Sequence, residues 1–292
     1  MTDLSAAQHQ PQQVLTQETN DVPTKSQTRY LDTATAYDLW SEVYDTDGNF
    51  LQALDTIQMK TLLPRAISLL SESSKQPQQL NPKDNSTIPS RSAIDLGCGT
   101  GRNTLLLLDH PSITSITALD LSSKMLDIAR SRCQDHSSQT QPPSSSSTPQ
   151  TLHFQTFDML THPSTVPPPT APANLVISTL VLEHIPLEIF FHTASTLLAP
   201  NGILLLTNMH PEMGRISQAG FVDPKTGDKI RPTSYAHTIA ETVVEARRAG
   251  FELLGGVDEV SVQEEMMERL GIRGRKWIGV RVWFGGVWRK VG

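Results

Sequence analysis

Cysteine is scarce in this chain of 292 residues, which contains two, Cys98 and Cys133. Two cysteines without paired spacing supply neither a disulfide framework nor a zinc knuckle, and they are typical of a reducing compartment. The first residues, MTDLSAAQHQPQQ, lack the positive and apolar regions of a secretory signal. No window approaches the roughly 18 uninterrupted apolar residues of a membrane span. We therefore expect a cytoplasmic protein with no membrane partner.

The chain also has fewer basic than acidic residues. It contains 24 lysines and arginines and 30 aspartates and glutamates, which gives a net charge of −6. A mildly acidic surface is a poor partner for a phosphate backbone, so we expect no nucleic-acid partner. The length is sufficient for one large domain.

Apolar surface is missing from four segments, residues 1–28, 71–91, 135–150 and 161–173. Segments of this composition bury too little to offset the entropy of ordering. We interpret the first as a disordered tail, and the other three as low-complexity insertions on the surface of a single domain at residues 29–292.

Between these segments, strand-like and helix-like stretches alternate. The predicted strands are SAIDLG, SITALD, LHFQTFD, NLVIST and ILLLTN, and the predicted helices lie near 102–109, at SSKMLDIARSR, near 187–198 and near 237–249. Such alternation predicts an α/β fold in which helices cover both faces of a parallel sheet. Two further stretches, FELLGGVDEVSV and KWIGVRVWFGG, predict a closing antiparallel hairpin.

A glycine-rich stretch, AIDLGCGTGRNT, contains the first predicted strand and the loop after it. Gly97, Gly99 and Gly101 come after an apolar run that ends in Asp95, as in a strand that turns into a nucleotide-binding loop. No lysine follows the last glycine, which disfavours a phosphate loop, and the third glycine is one residue early for the dinucleotide fingerprint. A tight turn without any ligand remains an alternative.

Acidic residues end the next two predicted strands. Asp120 ends the second strand, where one ionised carboxylate can accept hydrogen bonds from both hydroxyls of a ribose. Asp158 ends the third strand and is placed to reach the amino group of an adenine, with Met159 against the ring. Because the carboxyl ends of parallel strands meet at one edge of a sheet, these tips and the glycine loop are predicted to line one crevice.

Together, DLGCGTG, DLSSKML, FDM, ISTLVLEHI and LLAPNGILLLTN resemble the class I S-adenosylmethionine-dependent methyltransferases. The resemblance is to the small-molecule branch that includes quinone-biosynthesis enzymes, and elements after residue 208 loosely resemble methyltransferases of secondary metabolism. It implies a Rossmann-like, mostly parallel sheet of seven strands with an antiparallel last strand, and S-adenosylmethionine as the cofactor. By this resemblance, the cofactor's methionine end is held by Asp95 and the backbone of Gly97, Gly99 and Gly101, its ribose by Asp120, and its adenine by Asp158 and Met159.

An aromatic pattern lies upstream, in YDLWSEVYDTDGNF. Tyr37, Trp40 and Tyr44 share a helical face, and in relatives of the resembled family with a Tyr-Asp-x-Trp pattern this helix closes over the cofactor. Tyr37 is therefore a candidate cofactor contact, although the aromatics could equally serve only to pack the helix on the sheet. The DTDGN within this stretch departs from a calcium loop, since Gly48 is two places early and Thr56 stands where glutamate is needed, so we expect no metal.

Three histidines are candidate bases for removing a proton from a methyl acceptor. His184 follows the fourth strand in LVLEHIP, where the resembled family often has Glu-His. Leu180 replaces a glutamate of that family's metal-dependent members, so no Mg²⁺ site is expected. His210 follows the fifth strand, and His237 starts the next helix. The alternative for His184 is a satisfied structural histidine, and for His210 and His237 it is a helix cap or a contact behind the site.

The predicted function is transfer of a methyl group to an O, N or C atom of a small, hydroxylated or aromatic metabolite. A protein side-chain methyltransferase and a non-catalytic, S-adenosylmethionine-binding interaction module are the alternatives. A deep pocket lined by the three histidines and Phe221, beneath a mobile flap at residues 211–236, favours a small acceptor, whereas an open groove favours a peptide and a filled pocket favours the module.

Overall fold

The structure is a computed structural model that describes residues 26–73, 90–140, 150–165 and 171–291. Residues 1–25 of the predicted tail, and most of the predicted insertions, lie outside these ranges. Of the residues assigned to the insertions, 71–73 form the end of one helix and 135–140 the end of another. In the described ranges, no helix combines the length and apolar character needed to cross a membrane.

The chain forms strands and helices in the predicted alternation. The strands are β1 (Thr28–Tyr30), β2 (Arg91–Leu96), β3 (Ile113–Asp120), β4 (Thr151–Thr156), β5 (Ala173–Thr179), β6 (Leu198–Met209), β7 (Phe221–Val222), β8 (Lys229–Arg231), β9 (Phe251–Leu253), β10 (Asp258–Ser261) and β11 (Arg281–Lys290). The α-helices are α1 (Thr33–Trp40), α2 (Phe50–Ser73), α3 (Arg102–Leu108), α4 (Ser123–Thr140), α5 (Leu187–Leu197), α6 (Pro211–Ile216), α7 (Ile239–Arg248) and α8 (Met267–Leu270).

The large sheet has the strand order β10-β11-β6-β5-β2-β3-β4, with β9 also paired to β11. The five strands from β4 to β6 are parallel, and β11 runs antiparallel to β6. This arrangement confirms the predicted α/β fold with a reversed last strand. The strand order reverses between β2 and β5, and ligands bind open α/β sheets outside the carboxyl ends of the strands at such a point.

Eight strands make up this sheet in the described part of the chain, one more than predicted. The stretch FELLGGVDEVSV forms two short strands, β9 and β10, which both pair with β11. Gly255 lies between them with a φ of +85°, a left-handed conformation that interrupts an extended strand and that glycine adopts without steric cost. The predicted single strand is therefore divided in two.

Helices cover both faces of the sheet, as predicted. Ile203 and Leu205 of β6 pack into a core beneath α2, whereas Leu204 and Leu206 pack into a second core beneath α5 and α7. This alternation follows from the two-residue period of a strand. Because both faces are buried, the apolar run ILLL does not alternate with polar residues.

The predicted flap, residues 211–236, is more regular than its sequence suggests. It contains α6, β7 and β8, and β8 pairs in parallel with β1 and antiparallel with β7 to form a small second sheet. Phe221 of β7 stacks on Trp40 of α1, with ring centroids 5.1 Å apart and planes 13° apart. The flap and the N-terminal helix therefore form one packed unit above the large sheet.

Asp55 of α2 is a fully buried carboxylate that joins four elements. Its Oδ1 accepts hydrogen bonds from Trp283 Nε1 of β11 at 2.8 Å and from Thr207 Oγ1 of β6 at 2.6 Å. Its Oδ2 pairs at 2.6 Å with the guanidinium of Arg102, the first residue of α3. The charge of Asp55 is thus compensated by partners from three different elements.

Replacing Asp55 with alanine should lower the free energy of unfolding by about 3–5 kcal/mol, because it leaves two buried donors, Thr207 Oγ1 and Trp283 Nε1, without a partner and removes the counter-charge of the partly buried Arg102. Urea denaturation measures this difference. Asp258→Ala is the matched control, since it breaks an exposed pair with Arg65 at 3.3 Å, and it should cost no more than about 1 kcal/mol. If both variants lost the same free energy of unfolding, Asp55 would not have the stabilising role described above.

Candidate active site

The glycine loop turns tightly at the carboxyl end of β2. Gly97 and Gly99 have φ angles of +76° and +54°. A Cβ on Gly97 would lie 2.3 Å from Cγ2 of Val181, which no side chain tolerates. The backbone N–H of Gly99 donates to Oδ2 of Asp120 at 2.7 Å, so the loop is tied to the tip of the neighbouring strand.

Gly101 has a different role from the first two glycines. It precedes α3 with a φ of +84°, and a Cβ on it would lie 3.1 Å from Cβ of Ala129 in α4. Its lack of a side chain lets α3 approach α4, so Gly101 serves the packing of these two helices. Its predicted contact with the cofactor stays a prediction.

A cavity opens at the carboxyl ends of the central strands, between the glycine loop and α1; we call it the strand-end cavity. Of the residues predicted from the sequence, seven line it: Tyr37, Gly97, Gly99, Asp120, Asp158, Met159 and His184. The remaining predicted residues, Asp95, Gly101, His210 and His237, do not. The prediction of one crevice shared by successive strand tips is thus met at β2, β3 and β4.

Asp120 is half-buried, and its carboxylate has capacity for further hydrogen bonds. Oδ1 accepts from the backbone N–H of Ser122 at 2.8 Å, and Oδ2 accepts from that of Gly99. Burial raises the pKa of Asp120 to about 6, against the opposing effect of these backbone donors. Each oxygen of an ionised carboxylate has two lone pairs, so both oxygens can accept one more bond from a ligand.

Asp95 is buried beneath the loop rather than at the cavity wall. Its Oδ2 accepts a hydrogen bond from Thr104 Oγ1 at 2.7 Å. Burial raises the pKa of Asp95 to about 7. The carboxylate therefore connects the start of α3 to the end of β2. Its predicted contact with the cofactor stays a prediction.

The third strand tip supplies an apolar surface beside a carboxylate. Phe157 and Met159 are buried and line the strand-end cavity on either side of Asp158. Oδ1 of Asp158 accepts from the backbone N–H of Leu160 at 2.8 Å, which leaves Oδ2 available. This combination of flat apolar wall and hydrogen-bond acceptor has the chemistry to hold an aminopurine ring.

His184 connects the N-terminal helix to the flap. Its Nδ1 lies 2.6 Å from the carbonyl oxygen of Thr233, which only accepts, so Nδ1 carries a proton. In the neutral ring Nε2 then accepts from the hydroxyl of Tyr37 at 2.8 Å. Burial raises the pKa of Tyr37 well above its ordinary value, so Tyr37 retains its proton. Both nitrogens of His184 are occupied, which favours the structural alternative.

The other two histidines are also engaged away from the cavity. Nδ1 of His210 accepts from the backbone N–H of Glu212, capping α6, so Nε2 donates to Glu259 at 2.8 Å. Nε2 of His237 donates to the carbonyl oxygen of Ile185 at 2.8 Å. Among the described residues the three histidines do not line one common cavity. Their role as bases stays a prediction.

A second cavity, which we call the aromatic pocket, adjoins the strand-end cavity and has a volume of about 200 Å³. Tyr37, Tyr44 and Leu180 line both cavities and form the wall between them. Leu180 has a φ of +57°, a strained conformation for a leucine that is typical of functional sites. The remaining aromatic walls come from Trp40, Phe50, Phe221 and Trp277.

Glu183 is a wall residue of the aromatic pocket that the sequence interpretation did not single out. It is buried, and among the described residues its Oε2 has no hydrogen-bond partner. Burial raises the pKa of this carboxyl. The Glu-His pair in LVLEHIP is the sequence signal for this residue. No group of three or more His, Cys, Asp or Glu residues in the described ranges is arranged to hold a metal ion.

Residues 94–206 match a family model described as a methyltransferase domain. An uncharacterized methyltransferase of Emericella nidulans is 47% identical over 268 residues, which cover 88% of this chain and 90% of that relative.

Solved structures share the fold at low identity. The magnesium protoporphyrin IX methyltransferase of Synechocystis PCC 6803, with bound SAH, is 16% identical with a TM-score of 0.51, over 88% of this chain and 94% of that one. The cyclase SpnF is 18% identical with a TM-score of 0.52, over 91% of this chain and all of SpnF. A methyltransferase and a cyclase thus share this fold, so the chemistry must be argued from the site.

The buried carboxyl of Asp95 predicts a dependence of stability on pH. Its folded pKa of about 7 exceeds the ordinary value of 3.8, so the folded state binds the proton more tightly and loses stability as pH rises through this window. Asp95→Asn keeps an oxygen for Thr104 and removes the charge. Urea denaturation gives the free energy of unfolding of both proteins at each pH. The value for the natural chain minus the value for this variant should decrease between pH 4 and pH 7.

The exposed carboxylate of Asp127, which pairs with Arg130 at 2.7 Å, provides the control for this comparison. Asp127→Asn should change stability by no more than about 0.5 kcal/mol at either pH. A pH-independent difference between the natural chain and Asp95→Asn would contradict the buried, proton-binding state.

Proposed function

This chain belongs to the class I S-adenosylmethionine-dependent methyltransferases, and we propose that it methylates a small, largely apolar or aromatic molecule bound in the aromatic pocket. The observation that carries the proposal is the wall shared by the two cavities, Tyr37, Tyr44 and Leu180. Residues that line both cavities make the aromatic pocket the immediate neighbour of the strand-end cavity. Methyl transfer requires two ligands to bind side by side with their reacting atoms in contact.

S-Adenosylmethionine is the cofactor, and the residues of the strand-end cavity fit it. The free lone pairs of Asp120 suit the ribose hydroxyls, and Asp158 with Met159 suits the adenine. The space that a Cβ on Gly99 would enter, 3.9 Å from Cε1 of Tyr44, is left for a ligand. When bound, the cofactor supplies a methyl group attached to a positively charged sulfur.

The protein's own part is to hold the acceptor and exclude water. Tyr37 lies between the cavities, and its hydroxyl is fixed by His184, which in turn binds the carbonyl of Thr233 in the flap segment. The chain of contacts joins α1, the tip of β5 and the flap. In-line displacement depends on alignment of the reacting atoms, so side chains held rigidly where the two cavities adjoin favour the reaction by positioning both ligands.

A protein side chain is the less favoured acceptor. The aromatic pocket is a cavity of about 200 Å³ bounded by α1, the flap and the segment before β11, rather than an open groove. Its aromatic walls, with a few polar groups among them, suit a small molecule. The pocket is also not filled by side chains, which weighs against a non-catalytic module.

A screen with radiolabelled S-adenosylmethionine tests the proposed function. The full chain is offered hydroxylated aromatic acids, phenols, amines and short peptides, and label transfer is counted. We expect transfer to small apolar acceptors that carry a nucleophilic oxygen, nitrogen or carbon. Transfer to the peptides alone would overturn the proposal in favour of a protein methyltransferase.

Asp120→Ala should weaken binding of S-adenosylhomocysteine, the stable product of the cofactor, by about 10- to 100-fold, because hydrogen bonds to a charged group are lost. Calorimetry measures the affinity. Asp127→Ala, which removes an exposed carboxylate of α4, should bind as tightly as the natural chain.

The loop itself also depends on Asp120, which accepts the Gly99 N–H. Thermal unfolding without ligand therefore accompanies the calorimetry, so that loss of affinity is compared in folded protein. An Asp120→Ala variant that is folded and binds with unchanged affinity would show that the ribose lies elsewhere.

A further inference from the structure

The aromatic pocket contains a buried carboxylate that the chain leaves partly unsatisfied. Glu183 is 4% exposed, and its Oε2 has no hydrogen-bond partner among the described residues. Oε1 lies 3.9 Å from Nε2 of His184, beyond hydrogen-bond distance. Buried polar atoms are nearly always hydrogen-bonded, so an exception in the wall of a pocket indicates a ligand that supplies the partner.

The adjacent residue faces a different cavity. His184 lines the strand-end cavity, whereas Glu183 lines the aromatic pocket. Both lie on the short 3₁₀ turn Leu182–His184, on which consecutive side chains point about 120° apart. The carboxylate is therefore presented to the acceptor and not to the cofactor.

Basic residues contribute to the same pocket. Lys229, Arg273 and Lys276 line it, and two of them, Arg273 and Lys276, are exposed. Arg273 already pairs with Asp47 at 3.4 Å, and the ammonium of Lys276 lies 5.2 Å from the ring of Trp277. We call Lys229, Arg273 and Lys276 the basic rim.

The three cations are close enough to influence one another. Burial and the nearby charges of Arg231, Lys276 and Arg273 lower the pKa of Lys229. Mutual repulsion of this kind is relieved by an anion. In a chain with a net charge of −6, such a grouping at one pocket favours a negatively charged ligand.

We propose that the acceptor is an apolar hydroxy acid, bound with its acid group at the basic rim and its nucleophilic hydroxyl against Glu183, which takes the hydroxyl proton. This assignment rests on the proposed methyltransferase function and names its substrate class. The flat aromatic walls between the two ends hold the apolar body of the acceptor.

The proton and the electrons balance in this step. The acceptor oxygen forms a bond to the methyl carbon, while the carbon–sulfur bond breaks and its electron pair stays on sulfur as a neutral thioether. The hydroxyl proton passes to Oε2 of Glu183 and is later released to solvent. The products are a methyl ether and S-adenosylhomocysteine.

Binding of three probes tests the orientation of the acceptor. A hydroxynaphthoate with its two groups on opposite rings, the corresponding naphthol and the corresponding naphthoate are titrated into the full chain saturated with S-adenosylhomocysteine. We expect the hydroxynaphthoate to bind about tenfold or more tightly than the naphthol, because an ion pair to the rim is worth that much. Equal affinities, or no binding of any probe, would overturn the proposal.

Charge variants assign the preference to the rim. In the double variant Lys229→Gln, Lys276→Gln the tenfold advantage of the hydroxynaphthoate should disappear, while naphthol binding stays unchanged. The double variant Lys60→Gln, Lys124→Gln removes the same charge from exposed sites on α2 and α4 and should keep the advantage. If both double variants lose it equally, the effect belongs to net charge and the rim assignment is wrong.

Glu183→Gln tests the base. This variant should reduce turnover of the hydroxynaphthoate by about 10²-fold or more, with S-adenosylhomocysteine affinity unchanged, since Glu183 does not line the strand-end cavity. Near-natural turnover would remove Glu183 from the chemistry. Failure of the natural chain to bind S-adenosylhomocysteine would instead defeat the proposed function itself, so the two failures are distinguishable.

The pH profile separates a base from a structural group. Burial raises the pKa of Glu183, and the charged and titratable groups acting on it or facing it are His184, Asp55, His237, Tyr37 and Tyr44. A protonated carboxyl cannot accept the hydroxyl proton, so kcat/KM of the natural chain should fall as pH decreases through this raised pKa. The residual activity of Glu183→Gln should lack this decline. If the variant still showed the decline, the pH dependence would belong to another group.

Discussion

The buried carboxylate of Asp55 is the interaction on which the functional end of the molecule depends. It lies on α2, yet its partners come from α3, β6 and β11, so one charge fixes the relative positions of four elements. Arg102, which neutralises it, directly follows the last glycine of the loop. Thr207, which donates to it, also accepts the backbone N–H of Leu180 in the wall between the cavities. Burying a charge is favourable only when such partners are in place.

The position of the two cavities follows from the strand order. Parallel strands end at one edge of the sheet, and the reversal between β2 and β5 leaves space there that no connection fills. The glycine loop lies on the β2 side of this space, and Leu180 follows β5 on the other side. One cavity on each side of Leu180 gives two ligands a common boundary, which is the arrangement that a group transfer needs.

A cover made from distant parts of the chain closes this edge. Asp38 of α1 accepts a hydrogen bond from Ser122 Oγ at the tip of β3, and Tyr37, one residue earlier, binds His184 at the tip of β5. The flap packs on the same helix through the Trp40 and Phe221 stack. Because α1 contacts the ends of both β3 and β5, the position of the cover is fixed relative to both strands.

The sequence by itself determined the alternation of strands and helices in an α/β fold, because strand and helix periods are local patterns. The resemblance of its motifs to a known family implied the reversed last strand and S-adenosylmethionine as the cofactor. Asp120, Asp158 and Met159 line the strand-end cavity, since each lies at or just after the end of a recognisable strand. Only the tertiary structure decided that Asp95 and Gly101 support the loop, that His210 and His237 are engaged elsewhere, and that Glu183 rather than His184 faces the aromatic pocket. That pocket is built from α1, the tip of β5, the flap and the turn before β11, and no local pattern relates residues so far apart in the chain.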